Sequence, residues 1–163
     1  MQEIRRWTHR SVLFVCHANV CRSPFAAAAF RAALPARLRP KLKVASLGFI
    51  EPGRASPERA IAAASRRGID LSSHRSALLK GDAVRTSDLV VVMSPEQATA
   101  VQSTFTRDSL VIVLGDLDPL PIESRTIQDP WGADDATYEA SYARIERCVR
   151  ALAHAVAKSE QAE

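Results

Sequence analysis

The chain has 163 residues, 47% of them apolar and 25% charged, which is the composition of an ordinary globular protein and a length suited to one domain, taken as residues 1–163 with a core from about 11 to 157. A formal net charge of +4 raises a polyanionic partner, yet the basic residues are dispersed, aromatic residues make up only 6%, and no nucleic-acid motif appears, so nucleic acid is set aside and a phosphate-attracting surface suffices. The three cysteines, Cys16, Cys21 and Cys148, have no disulfide-framework spacing and favour a reducing compartment, read as the cytoplasm. The apolar run at 12–15 is far too short for a signal or membrane segment.

That run predicts the first strand. It leads into Cys16-His17-Ala18-Asn19-Val20-Cys21-Arg22-Ser23-Pro24, after which an alanine-rich helix is predicted over 25–34, stopped by Pro35. Strand, tight loop and helix together make an anion site, because loop N–H groups converge there and the helix dipole adds positive charge. A thiol facing such dipoles and a guanidinium is favoured as the thiolate, the form that attacks. Arg22 offers a planar fork for two phosphoryl oxygens, and Ser23 lies within reach of the Cys16 sulfur. Asn19, in mid-loop, tolerates the left-handed backbone that a tight cradle requires. Pro24 suits a first helical turn, where its missing N–H costs nothing.

After a basic linker, residues 43–47 read as a second strand closing on Ser46-Leu47-Gly48. Ser56-Pro57-Glu58 reads as a capped helix start and Gly68 as its stop, with Ala60, Ile61 and Ala64 as the buried stripe. Residues 88–93 form a β-branched-rich run without alternation, the mark of a strand covered on both faces, and Ser94-Pro95-Glu96 starts a helix reaching about 104. A fourth strand of the same character follows at 109–114. Residues 115–128 then read as a loop that delivers Asp129-Pro130-Trp131. The last helix begins near Asp134 or Asp135 and carries Tyr138, Tyr142, Ile145, Val149, Leu152 and Val156 on one stripe, with Cys148 beside it as an inert buried thiol and a frayed end from 159 to 163. Strands alternating with helices predict a parallel α/β sheet with its ligand site at the carboxyl ends of the strands, where Cys16 lies.

The loop Cys-x-x-Asn-x-Cys-Arg-Ser-Pro after an apolar strand resembles the phosphate loop of the low-molecular-weight protein tyrosine phosphatases. Asp129-Pro130-Trp131, Ser46-Leu47-Gly48 and Ser73-His74-Arg75-Ser76 resemble three further segments of that family, in order, so the resemblance covers nearly the whole chain. It implies a four-stranded parallel sheet with helices on both faces, a phosphate loop from Cys16 to Ser23, and a phosphocysteine mechanism with Cys16 as nucleophile, Arg22 as transition-state ligand and Asp129 as proton donor. It gives Ser23, Ser46 and His74 the support of the loop through Asn19, although Ser46 also reads as a plain turn serine. Trp131 reads as a pocket wall. Arg54, in the loop at 49–55, reads as a solvated arginine or a contact for a substrate carboxylate. Cys21 reads as a redox partner for Cys16 or as a small packing residue.

The resemblance implies a phosphotyrosine protein as substrate, bacterial tyrosine kinases of polysaccharide export among them, and neither metal nor other cofactor; no His/Cys cluster has zinc spacing. Protein arginine phosphatases share the pattern with a threonine where this chain has Val20, and thioredoxin-coupled arsenate reductases share it with extra cysteines that the stretch between Cys21 and Cys148 lacks. The chain departs from the family at Ala18, where glycine is usual. A positive φ there would cost about 1–2 kcal/mol and leave a phosphate-binding module of little turnover, whereas a negative φ makes alanine harmless.

Overall fold

A computed structural model of the protein describes residues 10–105 and 109–161. Four strands, β1 (Ser11–Cys16), β2 (Lys43–Gly48), β3 (Leu89–Val92) and β4 (Leu110–Val113), form one sheet in the order β2-β1-β3-β4, and every pair is parallel. Five helices accompany them: α1 (Arg22–Ala33), α2 (Glu58–Ser65), α3 (Gly81–Arg85), α4 (Pro95–Thr104) and α5 (Asp135–Glu160). A 3-10 turn, Leu114–Leu117, follows β4.

The apolar runs are continuous because both faces of the sheet are covered. Val12, Phe14 and Cys16 of β1 and Val91 of β3 point to the layer of α1, α2 and α5. Leu13 and Val15, with Val90 and Val92, point to the side where α3 and α4 supply Val84 and Val101. The single-domain α/β fold with helices on both faces is the one expected. The edge strand β4 differs: Leu110, Val111 and Ile112 are only half-buried, since the sheet ends there.

Local signals held unevenly. Ser94 caps α4 by accepting the Gln97 N–H, and Asp134 caps α5 by accepting that of Thr137. Ser56 does not cap α2. Pro57 occupies the cap position, so Ser56 stands one residue too early to reach the first free amides, and its buried hydroxyl has no partner among the described residues. Within α2 the buried residues are Ala60, Ala63 and Ala64, while Ile61 is half-buried, because the stripe runs through positions three and four apart. The short α3, which lacks a full amphipathic period, has no counterpart in the sequence reading. At the far end, Ser159 and Glu160 are still helical; Ser159 is buried and bonds the Val156 carbonyl, which stops the expected fraying there, and residues 162–163 lie outside the described part.

All six predicted stripe residues of α5 are buried. Tyr142 does more than fill space. Its ring stacks on Phe25 of α1 at 4.0 Å between centroids, and its hydroxyl donates to the Cys21 carbonyl at 2.9 Å. This pins the residue just ahead of α1, and therefore the end of the loop, to the longest helix. Tyr142→Phe keeps the ring and removes this second bond to the cap carbonyl, which predicts a loss of about 0.5–1.5 kcal/mol of stability. Urea unfolding followed by circular dichroism measures it; a variant as stable as the parent would show that the hydroxyl does not hold the loop.

Candidate active site

Helix α1 begins at Arg22, three residues ahead of the predicted start, so Arg22, Ser23 and Pro24 make its first turn and are all buried. Cys21, at the cap position, makes no side-chain hydrogen bond to that turn, whose Ser23 N–H is taken by Cys16 Sγ, and no acidic residue occupies the first turn. Among the described residues, none accepts the backbone N–H of Ala18, Asn19 or Val20. Loop N–H groups without an acceptor and a buried helix start with no acidic residue are the two components of an anion site.

Asn19 fixes the loop. Its φ of 54° places it in the left-handed region, and it is fully buried. Its side-chain amide donates to Ser23 Oγ at 2.8 Å and to Ser46 Oγ at 2.9 Å, and its Oδ1 accepts the Ala77 N–H at 3.0 Å. The Asn19 backbone carbonyl lies 2.7 Å from His74 Nε2. Ser23, Ser46 and His74 thus converge on this one residue. Ala18 is not among the positive-φ residues, so the left-handed turn falls on the asparagine and the alanine carries no backbone strain. Gly48 sits beneath the turn, where a Cβ would come within 2.7 Å of Asn19 N and 2.8 Å of the Ala18 carbonyl carbon.

The three thiols have different settings. Cys16, at the carboxyl end of β1, has its Sγ 3.0 Å from Ser23 Oγ and accepts the Ser23 N–H at 3.4 Å. Cys21 lies 3.6 Å from the Tyr138 hydroxyl, and burial pushes its thiol up to about 12. Burial likewise pushes Cys148 up to about 12, which suits the inert thiol expected there.

Arg22 is 5% exposed, and its Nε has no hydrogen-bond partner among the described residues. One end of the guanidinium donates to the Ile127 carbonyl at 3.0 Å, while the other pairs with Asp129 Oδ2 at 3.1 Å. The chain brings these residues together across more than a hundred positions. A cavity of about 360 Å³ reaches Asp129 from the loop, lined by Cys16, His17, Ala18, Val20, Cys21 and Asp129, with Trp131, Ile50, Glu51 and Arg54 around it. Trp131 is 59% exposed. Arg54 is not simply solvated but pairs with Glu51 at 3.2 Å.

The wall at 49–55 is held by Ser76, whose hydroxyl donates to the Glu51 carbonyl and accepts the Arg54 N–H. Sequence reasoning missed the carbonyl brace from Ile127 to Arg22 and the two tyrosines behind Cys21. A backbone carbonyl leaves no mark in a sequence, and the tyrosines were legible only as core stripe. Among the described residues, no cluster of three or more His, Cys, Asp or Glu is placed to hold a metal ion, and no helix is long and apolar enough to cross a membrane.

Residues 11–162 match the family model described as low molecular weight phosphotyrosine protein phosphatase. Among curated proteins, the chain is 32% identical over 143 residues to the probable low molecular weight protein-tyrosine-phosphatase EpsP of Ralstonia solanacearum, covering 87% of this chain and 92% of that one. Among solved structures it matches the tyrosine phosphatase amsI of Erwinia amylovora with a TM-score of 0.78 and 28% identity, over 90% of this chain and 92% of that chain. It also matches the arginine phosphatase YwlE of Geobacillus stearothermophilus with a TM-score of 0.81 and 25% identity, over 95% and 97%.

The contact at Gly48 gives a direct test of the cradle. Gly48→Ala forces backbone against backbone, which predicts a stability loss of about 1–3 kcal/mol and weaker binding of inorganic phosphate. Thermal unfolding with and without phosphate reads both; unchanged phosphate stabilisation would show that the loop does not rest on this residue.

Proposed function

The chain belongs to the low molecular weight phosphotyrosine protein phosphatase family and is a phosphatase, and we propose that it hydrolyses phosphotyrosine on proteins through a covalent phosphocysteine at Cys16. The observation that carries this reading is that Cys16 and Asp129 line one cavity at the start of α1, with the buried Arg22 paired to Asp129.

In this reading the dianionic phosphate settles on the loop N–H groups and on Arg22, whose unpartnered Nε takes a phosphoryl oxygen. The Cys16 thiolate attacks phosphorus in line, the P–O bond to tyrosine breaks, and the carboxylic acid of Asp129 protonates the departing phenolate oxygen. Water then attacks the phosphocysteine. Asp129, now a carboxylate, takes a proton from that water, the S–P bond breaks, and inorganic phosphate leaves. Ser23 Oγ stabilises the sulfur as it departs, by turning its own proton toward it. Ser46 and His74 serve through Asn19, as loop support. The cycle as written calls on no metal or other cofactor.

Val20 favours the aromatic substrate. It lines the cavity as an apolar side chain 2% exposed, and Trp131 offers a ring at the mouth. The second reading, phosphoarginine, draws on the likeness to an arginine phosphatase structure, but Val20 presents no hydroxyl to a guanidinium. A phosphate-binding module without turnover is a third reading, and it loses its argument with the negative φ of Ala18. The substrate in the favoured reading is a phosphotyrosine protein, a bacterial tyrosine kinase being the class that the family resemblance suggests, met in a reducing compartment such as the cytoplasm.

Phosphate release from a phosphotyrosine peptide, in reducing buffer, tests the assignment. Cys16→Ser is expected to abolish turnover and Asp129→Asn to lower kcat/KM by about 10²–10⁴. Turnover that survives Cys16→Ser, or a faster reaction with phosphoarginine peptide, would overturn it.

Cys21 enters as a redox partner in the same proposal. Peroxide oxidises Cys16 to the sulfenic acid, and the Cys21 sulfur displaces its hydroxyl, as water, to give a disulfide. Intact-mass analysis after peroxide is expected to show a species two hydrogens lighter that dithiothreitol reverses; accumulation of only the higher oxides of Cys16 would exclude the disulfide.

A further inference from the structure

Residues 115–126 make an excursion whose two limbs meet again at its base. A Cβ on Gly115 would lie 2.0 Å from the Arg125 carbonyl oxygen, so the limbs touch where only glycine fits. Arg144 of α5 closes this neck. Its guanidinium donates to the Thr126 carbonyl at 2.9 Å, to that of Ser124 at 2.6 Å and to that of Gly115 at 3.4 Å. Its Nε faces Asp118 at 3.2 Å, and Asp118 is also held by a two-pronged contact from Arg147 at 3.0 and 2.9 Å. The Asp118 side chain is only 3% exposed. Hydrogen bonds from Arg147 hold its carboxyl below the usual carboxylate range, so it stays charged and keeps Arg144 oriented.

The chain leaves this neck directly toward Asp129. Three consecutive carbonyls precede that residue, and a side chain takes each of them. Arg144 takes Thr126, Arg22 takes Ile127, and Ser141, one turn before Arg144 on the same helix, takes Gln128 at 2.8 Å. The Ile127 N–H in turn donates to the Met93 carbonyl at the end of β3. Asp129 itself is 42% exposed; its Oδ2 pairs with Arg22 and its Oδ1 accepts the Trp131 N–H at 3.2 Å, both reached from a backbone position set by the segment that delivers it.

We propose that Arg144, with Ser141, is a positioning residue for the general acid: by fixing the carbonyls on either side of Ile127 it sets where the Asp129 carboxyl meets the leaving group. The inference rests on Asp129 as proton donor, the reading given above. A fault in proton donation has a signature that a general loss of structure lacks. Esters with a basic leaving group need the proton, whereas those with an acidic one depart without it.

The experiment measures kcat/KM on phenyl phosphate and on dinitrophenyl phosphate for Arg144→Met, Arg144→Lys, Ser141→Ala and Asp129→Asn. Arg144→Met is expected to lose about tenfold on phenyl phosphate and to stay within about twofold on dinitrophenyl phosphate. Arg144→Lys, which keeps the charge and loses the fork, is expected to resemble it, and Ser141→Ala to show the same selectivity more weakly. Added to Asp129→Asn, Arg144→Met is expected to cost nothing more on either ester. Equal losses on both esters, or none on phenyl phosphate, would overturn the proposal, and Ser141→Ala decides it alone if the Arg144 variants do not fold. If Asp129→Asn itself shows no dependence on leaving group, the proton-donor reading fails and takes this inference with it. If that variant shows the dependence and the Arg144 and Ser141 variants do not, only the inference fails.

Discussion

The buried amide of Asn19 is the contact on which the rest of the site depends. An anion cradle built from backbone N–H groups needs a turn that L-residues resist, and this chain puts the turn on a residue whose side chain can be held from three directions. The start of α1 holds it through Ser23, β2 through Ser46, and the segment after α2 through Ala77 and His74. These segments span residues 23 to 77 of the sequence. What joins them is one side chain with no polar atom left unmatched. Gly48 completes the arrangement by leaving room for the turn to lie against β2.

The second constraint is the burial of Arg22. A guanidinium so deeply placed needs acceptors, and the protein supplies a carbonyl from residue 127 and a carboxylate from residue 129. Those acceptors stand close together on one segment, so the arginine ties the segment that carries Asp129 to the start of α1. In the proposed cycle an incoming phosphate competes for the same cation, and that competition frees the Asp129 carboxyl from its partner when a leaving group is present to receive its proton.

Much of this was legible because it is local. The strand, the loop, the helix after it and the capped starts of α4 and α5 each lie within about ten residues, and the motif Cys16 to Pro24 contains the thiol, the guanidinium and the left-handed asparagine together. The consequence of Ala18 was not legible, since it turned on which of two neighbouring residues takes the positive φ. Ser56 misled because a cap is a matter of one residue's offset, and α3 passed unnoticed because five residues hold no period. The grip of Arg144 was beyond reach for a different reason. It is one of 22 basic residues, and its partners are carbonyls, which every residue possesses.

The alternation along β1 bears on how the chemistry can vary. Val12, Phe14 and Cys16 share one side of the strand and Leu13 and Val15 the other, so the reactive sulfur occupies a position with the same parity as two core residues. Cys16 pairs with Gly48 in the same register that pairs Phe14 with Ser46. Gaining or losing one residue anywhere in that strand would turn the sulfur toward the α4 layer and carry Ser46 and Gly48 out of step with the loop at once. The hydrophobic code that folds the sheet is thus also the address of the proposed nucleophile, and drift in the first is visible to selection on the second.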